Sequence, residues 1–248
     1  MPEAVIVSYA RSPIGRANKG SLVGIRSDDL TAQMVKAALA KVPELDPTQV
    51  DDLMLGNGLP GGQQGFNMAR VVSVLAGMDT VPGTTVNRYC SSSLQTTRMA
   101  LHAIKAGEGD VFISAGVETV SNFAKGTADH WPDTKNPIFA DAEARTAKMA
   151  EGGQDWHDPR EDGDLPDIYI AMGQTAENVA RMRGLDRQEL DEFAVQSHQR
   201  AARAWEDGRF ARSVIPVKDQ NGITLLDRDE TIRPGTTVES LSGLKPAF

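Results

Sequence analysis

The chain has 248 residues, 40% apolar and 24% charged, enough for one or two domains with a real core, and its composition excludes a disordered chain. With 26 Lys and Arg against 34 Asp and Glu, a formal charge of −8 and no Lys/Arg run, neither nucleic acid nor an anionic membrane is expected as the main partner. A single cysteine, Cys90, excludes an internal disulfide and thiolate-rich zinc clusters, and the sequence has neither a membrane-length apolar run nor a signal peptide, so the expected location is the cytoplasm.

In chain order, the β-branched run AVIVS (4–8) predicts a core strand that ends at Pro13 and Gly15. A helix follows, with Ser27 as its cap and Leu30, Met34, Val35 and Ala38 at helical spacing. Asp46-Pro47 opens a short turn, and VDDLMLGNG supplies a second strand. FNMARVVSVLAG predicts a second helix, TTVN (84–87) a third strand, SSSLQTTRMALHAIKAG (91–107) a third helix and DVFISAG (110–116) a fourth strand. This alternation predicts an α/β unit with helices covering a largely parallel sheet. Residues 122–166 read as a long irregular surface excursion. MGQTAENVARMRG predicts a helix closed by Gly184, and Asp186 with Glu189 forms a capping box for the next, closed by Gly208. A hairpin is expected around Asn221 and Gly222, followed by a tail without an element of its own.

Cys90 falls where a strand hands over to a helix. The first backbone N–H groups of a helix lack partners within it and, together with the helix dipole, favour an anion such as a thiolate. Ser91, Ser92 and Ser93 are small enough to let a substrate approach. The residues alone leave this beside the plainer reading of a small buried hydrophobe.

VNRYCSSSLQTTRMALHAIKAGEGDVFISAGVETVS (86–121) resembles the nucleophile segment of the thiolases, which cleave or form 3-ketoacyl-CoA by Claisen chemistry. The likeness spans the chain: ARSPIGRANKGSL resembles the family's first strand and loop, GVETVS its Gly-x-Glu-x-x-Ser segment, MGQTAENVA its loop-domain motif, and IRPGTTVESLSGLKPAF the segment leading back into the core. The resemblance implies an α/β fold: an N-terminal βαβαβαβ core with a mixed, largely parallel sheet over residues 1–121, and an α+β, CoA-binding loop domain over 122–248. It implies a thiolase-type acyltransferase of fatty acid metabolism, with Cys90 as the acyl-accepting nucleophile, Arg233 and Ser240 holding the adenosine and pantetheine parts of CoA, and Met172 lining the acyl pocket. Coenzyme A is then a substrate, with no metal or redox cofactor. The implied partners are acyl-CoA, CoA and further copies in a homodimer or homotetramer.

Three departures qualify the match. Ser93 stands where the family usually has glycine, which puts substrate access or helix packing in question. Ala171 stands where short-chain biosynthetic members have His and many degradative ones Pro, and with the long polar stretch at 122–166 this points to a longer or bulkier acyl group. The family's Gly-His-Pro, Cys-x-Gly and Asn-Glu-Ala-Phe motifs, which supply acid, base and oxyanion donors, are absent, and His102, His130, His157 and His198 all sit in sequence settings of surface or packing residues. The expectation is a chain lacking the C-terminal thiolase domain and with little turnover of its own. The alternative is a non-catalytic acyl-CoA-binding or subunit fragment that needs a C-terminal partner half. A papain-like Cys-His hydrolase is disfavoured for want of a placed histidine.

Overall fold

The computed structural model describes residues 3–125, 128–152 and 155–247. At its centre β1 (Asp52–Gly56) runs parallel to β2 (Gly83–Val86) on one side and β3 (Phe112–Gly116) on the other, with Leu53 opposite Gly83 and Ile113. The run Leu53-Met54-Leu55 is buried throughout, as a middle strand covered on both faces requires. Strand parity sends Leu53 and Leu55 to one face and Met54 and Gly56 to the other.

Onto the first face pack α1 (Ser27–Leu39) and α2 (Met68–Leu75), where Val35, Met68 and Val72 join Leu53, Leu55, Met78 and Val81 in the core. The second face carries α3 (Ser92–Ala106) so closely that a side chain on Gly56 would sit 2.6 Å from the backbone of Ser92 and Ser93. Gly56 is therefore what lets the head of α3 rest directly on the sheet.

The rest of the chain adds α4 (Ala140–Ala150), α5 (Met172–Arg183), α6 (Arg187–Glu206) with the expected Asp186–Glu189 capping box, the antiparallel hairpin β4 (Val217–Lys218) and β5 (Thr224–Leu226), and α7 (Val238–Ser242). Met1–Trp131 with Gly208–Thr231 form one compact unit, and Pro132–Asp207 with Ile232–Phe248 another. Residues 208–231, grouped with the second part in the sequence reading, pack with the first. Asp229 accepts both Arg11 guanidinium nitrogens at 2.8 and 3.0 Å, and Glu230 accepts the Arg16 amide at 2.9 Å.

Four expectations are corrected. Residues 4–8 are not a strand, and Ile6 is 79% exposed; a β-branched run sets propensity, but a ladder needs a neighbouring edge, and the first bridge in this segment joins Arg11 to Val214. Ser27 does not cap α1: Arg26 holds the cap position, and the Ser27 hydroxyl is buried without a hydrogen-bond partner among the described residues. The stretch read as irregular contains α4, whose buried face is Ala142, Thr146 and Met149, of which only Met149 is large and apolar. The tail forms α7, opened by a Thr237–Ser240 capping box.

Candidate active site

β2 ends at Val86, and a single 3-10 turn, Tyr89–Ser91, connects it to α3. Tyr89 has φ 45°, a region that costs a non-glycine residue about 1 kcal/mol or more and persists only where its surroundings enforce it. Two side chains do so. Asn87 Oδ1 accepts the Tyr89 amide at 2.9 Å, and the buried Ser92 hydroxyl accepts the Arg88 amide at 2.8 Å while donating to the Tyr89 carbonyl at 2.7 Å. Cys90 sits in this turn with its thiol-bearing residue exposed, beyond the carboxyl end of the parallel sheet, the end at which open α/β sheets present their ligands.

The amides expected to be free are partly taken up. Ser91 N donates to Arg88 O at 3.0 Å and Ser92 N to Tyr89 O, because the chain enters α3 through a tighter 3-10 turn. What the turn gives Cys90 is exposure and a fixed direction.

Beneath the turn, the loop after β1 is tied to the GVETVS segment. Glu118 Oε2 accepts the buried Gly58 amide at 2.8 Å, and its Oε1 accepts Gln64 Nε2 at 2.6 Å. Gln64 is buried; its Oε1 accepts the amide and hydroxyl of Thr119 at 2.7 and 2.6 Å. Glu118 also borders a cleft of about 200 Å³ with Pro13, Ile14, Leu22, Leu30 and Asn122. Sequence reasoning missed Gln64, which lies 54 positions from its partner and in no local pattern. Ser93 turns toward the sheet, where its hydroxyl occupies the space a side chain on Gly116 would need, so it bears on helix packing.

In the second unit, Met172 opens α5 and is 66% exposed, with Ala171 supplying no side-chain cap. Arg233 is exposed; its amide donates to His198 Nδ1 at 3.2 Å and its carbonyl accepts the Thr236 hydroxyl at 2.9 Å. Ser240 is exposed, but its hydroxyl donates to Thr237 O at 2.7 Å within the capping box, leaving only acceptor capacity for anything else. Among the described residues no cluster of three or more His, Cys, Asp or Glu is placed to hold a metal ion, and no helix is long and apolar enough to cross a membrane.

The family model described as "Thiolase, N-terminal domain" matches residues 4–248. The chain belongs to the thiolase family. Among similar thiolases, the 3-ketoacyl-CoA thiolase of Saccharophagus degradans is 40% identical over 99% of this chain and 57% of its own length, and that of Bacillus subtilis 38% identical over 100% and 60%. The crystal structure of the dimeric peroxisomal thiolase of Saccharomyces cerevisiae superimposes with a TM-score of 0.81 at 28% identity, over 99% of this chain and 58% of that one. The chain thus spans a little over half the length of the thiolases it matches.

The histidines of this thiolase chain have settings of their own. His198 fixes the Arg233 backbone, and His102 is exposed on α3. His157 Nε2 lies 2.5 Å from Asp162 Oδ2, a hydrogen bond that raises its pKa above the ordinary 6.5. The adjacent Asp158 carboxyl is held down at about 2 by its hydrogen bonds from Arg160. The side chain of His130 lies outside the described part.

Proposed function

We propose that this chain supplies the nucleophile and the CoA-contacting residues of a thiolase-type acyltransferase that interconverts acyl-CoA plus acetyl-CoA with 3-ketoacyl-CoA plus CoA. The observation that carries the reading is an exposed cysteine on a positive-φ turn at the carboxyl end of the parallel sheet. In the cleaving direction the Cys90 sulfur bonds to the 3-keto carbon, and the bond between C2 and C3 breaks. The electron pair on C2 takes up a proton, and acetyl-CoA leaves. The CoA thiol then gives up its proton and attacks the acyl carbon, the bond from that carbon to the Cys90 sulfur breaks, and the proton returns to Cys90, leaving acyl-CoA and the free thiol.

Arg233 is assigned to the nucleotide of CoA, which a guanidinium suits by charge and by stacking, Ser240 to the pantetheine as an acceptor, and Met172 to the acyl chain. A C-terminal half provides the base for the thiol, the acid/base at C2 and the oxyanion donors. The 3-ketoacyl-CoA substrates and the dimer named for the relatives extend to this protein as part of the same reading. The exposed Val5–Val7 run and Phe66 offer apolar surface for such association.

A second reading is an acyl-CoA-binding or subunit fragment with no turnover of its own. It is favoured by the engagement of His157 and His198 in local structure and by the committed Ser240 proton. A thiolysis assay separates the two. The chain is supplied with 3-ketoacyl-CoA and CoA, first alone and then with the C-terminal part of a relative. Activity that appears on addition and is lost in Cys90→Ser supports the acyltransferase; binding without turnover in both cases supports the fragment.

A further inference from the structure

We propose that Glu118, acting through the amide of Gly58, is the positioning residue that holds Tyr89 at positive φ and so sets the direction of the Cys90 thiol. The inference rests on reading Cys90 as the nucleophile, and it concerns how that nucleophile is aimed.

Gly58 meets both groups at once. Its buried amide donates to Glu118 Oε2 at 2.8 Å, and a side chain on its α-carbon would lie 2.9 Å from that same oxygen and 3.2 Å from the Tyr89 carbonyl oxygen. That carbonyl is also the one Ser92 holds. The loop at Gly58 therefore acts as a backstop for the Tyr89 peptide, and a relaxation of Tyr89 to negative φ, which would swing the Tyr89–Cys90 peptide, requires this loop to give way.

The need for two acceptor oxygens at residue 118 follows from its partners. Both are donors: the Gly58 N–H, and Gln64 Nε2, whose orientation is fixed because Gln64 Oε1 is already accepting from the Thr119 amide and hydroxyl. Two acceptors are needed, and glutamine offers one. Glu118→Gln leaves either the buried Gly58 amide or the Gln64 amide facing a donor, which loosens the backstop.

Because this chain has a single cysteine, alkylation by iodoacetamide reads this geometry at one atom. The test is a double-mutant cycle between Glu118→Gln and Tyr89→Gly, since glycine takes positive φ without a steric cost and no longer needs the backstop. The expected result is alkylation of Cys90 slowed about ten-fold in Glu118→Gln. In the Tyr89→Gly background the same change should alter the rate by less than about two-fold. Met78→Ala, a core change, serves as the control for general destabilisation and should leave the rate within about two-fold of wild type.

If Glu118→Gln folds poorly, Glu118→Asp, whose stem is one methylene shorter and cannot reach both the Gly58 amide and Gln64 Nε2, replaces it in the cycle with the same expectation. An equal slowing in both Tyr89 backgrounds, a slowing matched by Met78→Ala, or no slowing at all overturns the proposal. Failure of wild-type Cys90 to take an acyl group from 3-ketoacyl-CoA when the C-terminal part of a relative is present overturns only the nucleophile reading, because alkylation does not depend on CoA chemistry.

Discussion

The hydroxyl of Ser92 donates to the Tyr89 carbonyl at 2.7 Å and accepts the Arg88 amide at 2.8 Å, so one buried side chain ties both sides of the turn that carries Cys90. Ser92→Ala removes the two bonds together: the Arg88 amide loses its hydroxyl acceptor, and the Tyr89 carbonyl keeps only the Ser92 amide. Destabilisation of ~1–3 kcal/mol is expected in denaturant melts, with slower alkylation of Cys90.

Gly56 sets the height of α3 above the sheet. Gly56→Ala places a methyl group within 2.6 Å of the Ser92–Ser93 backbone, which cannot rotate away. The helix must lift, at a cost of about 1–3 kcal/mol, and the turn at its head moves with it. A lowered thermal midpoint together with altered Cys90 labelling is the expected pair of results.

How far these features were legible in the sequence follows from the range of the interaction behind each. The Asp186–Glu189 box and the ends of α3 and α5 at Gly107 and Gly184 are local chemistry and were readable. So was the middle strand, because Leu53-Met54-Leu55 is apolar on both faces. Ile6 misled because pairing is decided by a distant edge. Helix α4 was missed because Ala142 and Thr146 bury little apolar surface. At the site, Cys90 and its strand-to-helix setting were evident, whereas Gln64 and Gly58 meet Glu118 across 54 and 60 positions. The 3-10 entry to α3, which occupies amides expected to be free, had no sequence signal.

In the second unit, Arg145 grips Asp167 through Nε and Nη2 at 2.9 and 2.7 Å, with Trp156 Nε1 a third donor at 3.3 Å. The Asp167 side chain is only 6% exposed. Arg145→Met leaves that carboxylate buried with the indole alone, and a loss of ~3 kcal/mol is expected. Replacing Asp167 by Asn in the same background should recover part of it, as measured by chemical denaturation.

The Glu230 carboxyl is held below its ordinary value of 4.5, chiefly by the Ser21 hydroxyl and then by the Arg16 amide. A depressed carboxyl contributes stability that is fully present above 4.5 and lost as the pH falls through the lower folded value. Thermal midpoints of the wild type are therefore expected to drop on acidification through that window. Glu230→Gln should start lower at neutral pH and drop less; identical acid profiles would count against the loop contact.

The most direct measurement is the intact mass of the chain after incubation with 3-ketoacyl-CoA in the presence of the C-terminal part of a relative, followed by peptide mapping. One acyl group on Cys90, absent from Cys90→Ser and discharged by added CoA, is the predicted result. An unmodified wild-type chain, or an adduct that survives in Cys90→Ser, would contradict the assignment of the nucleophile.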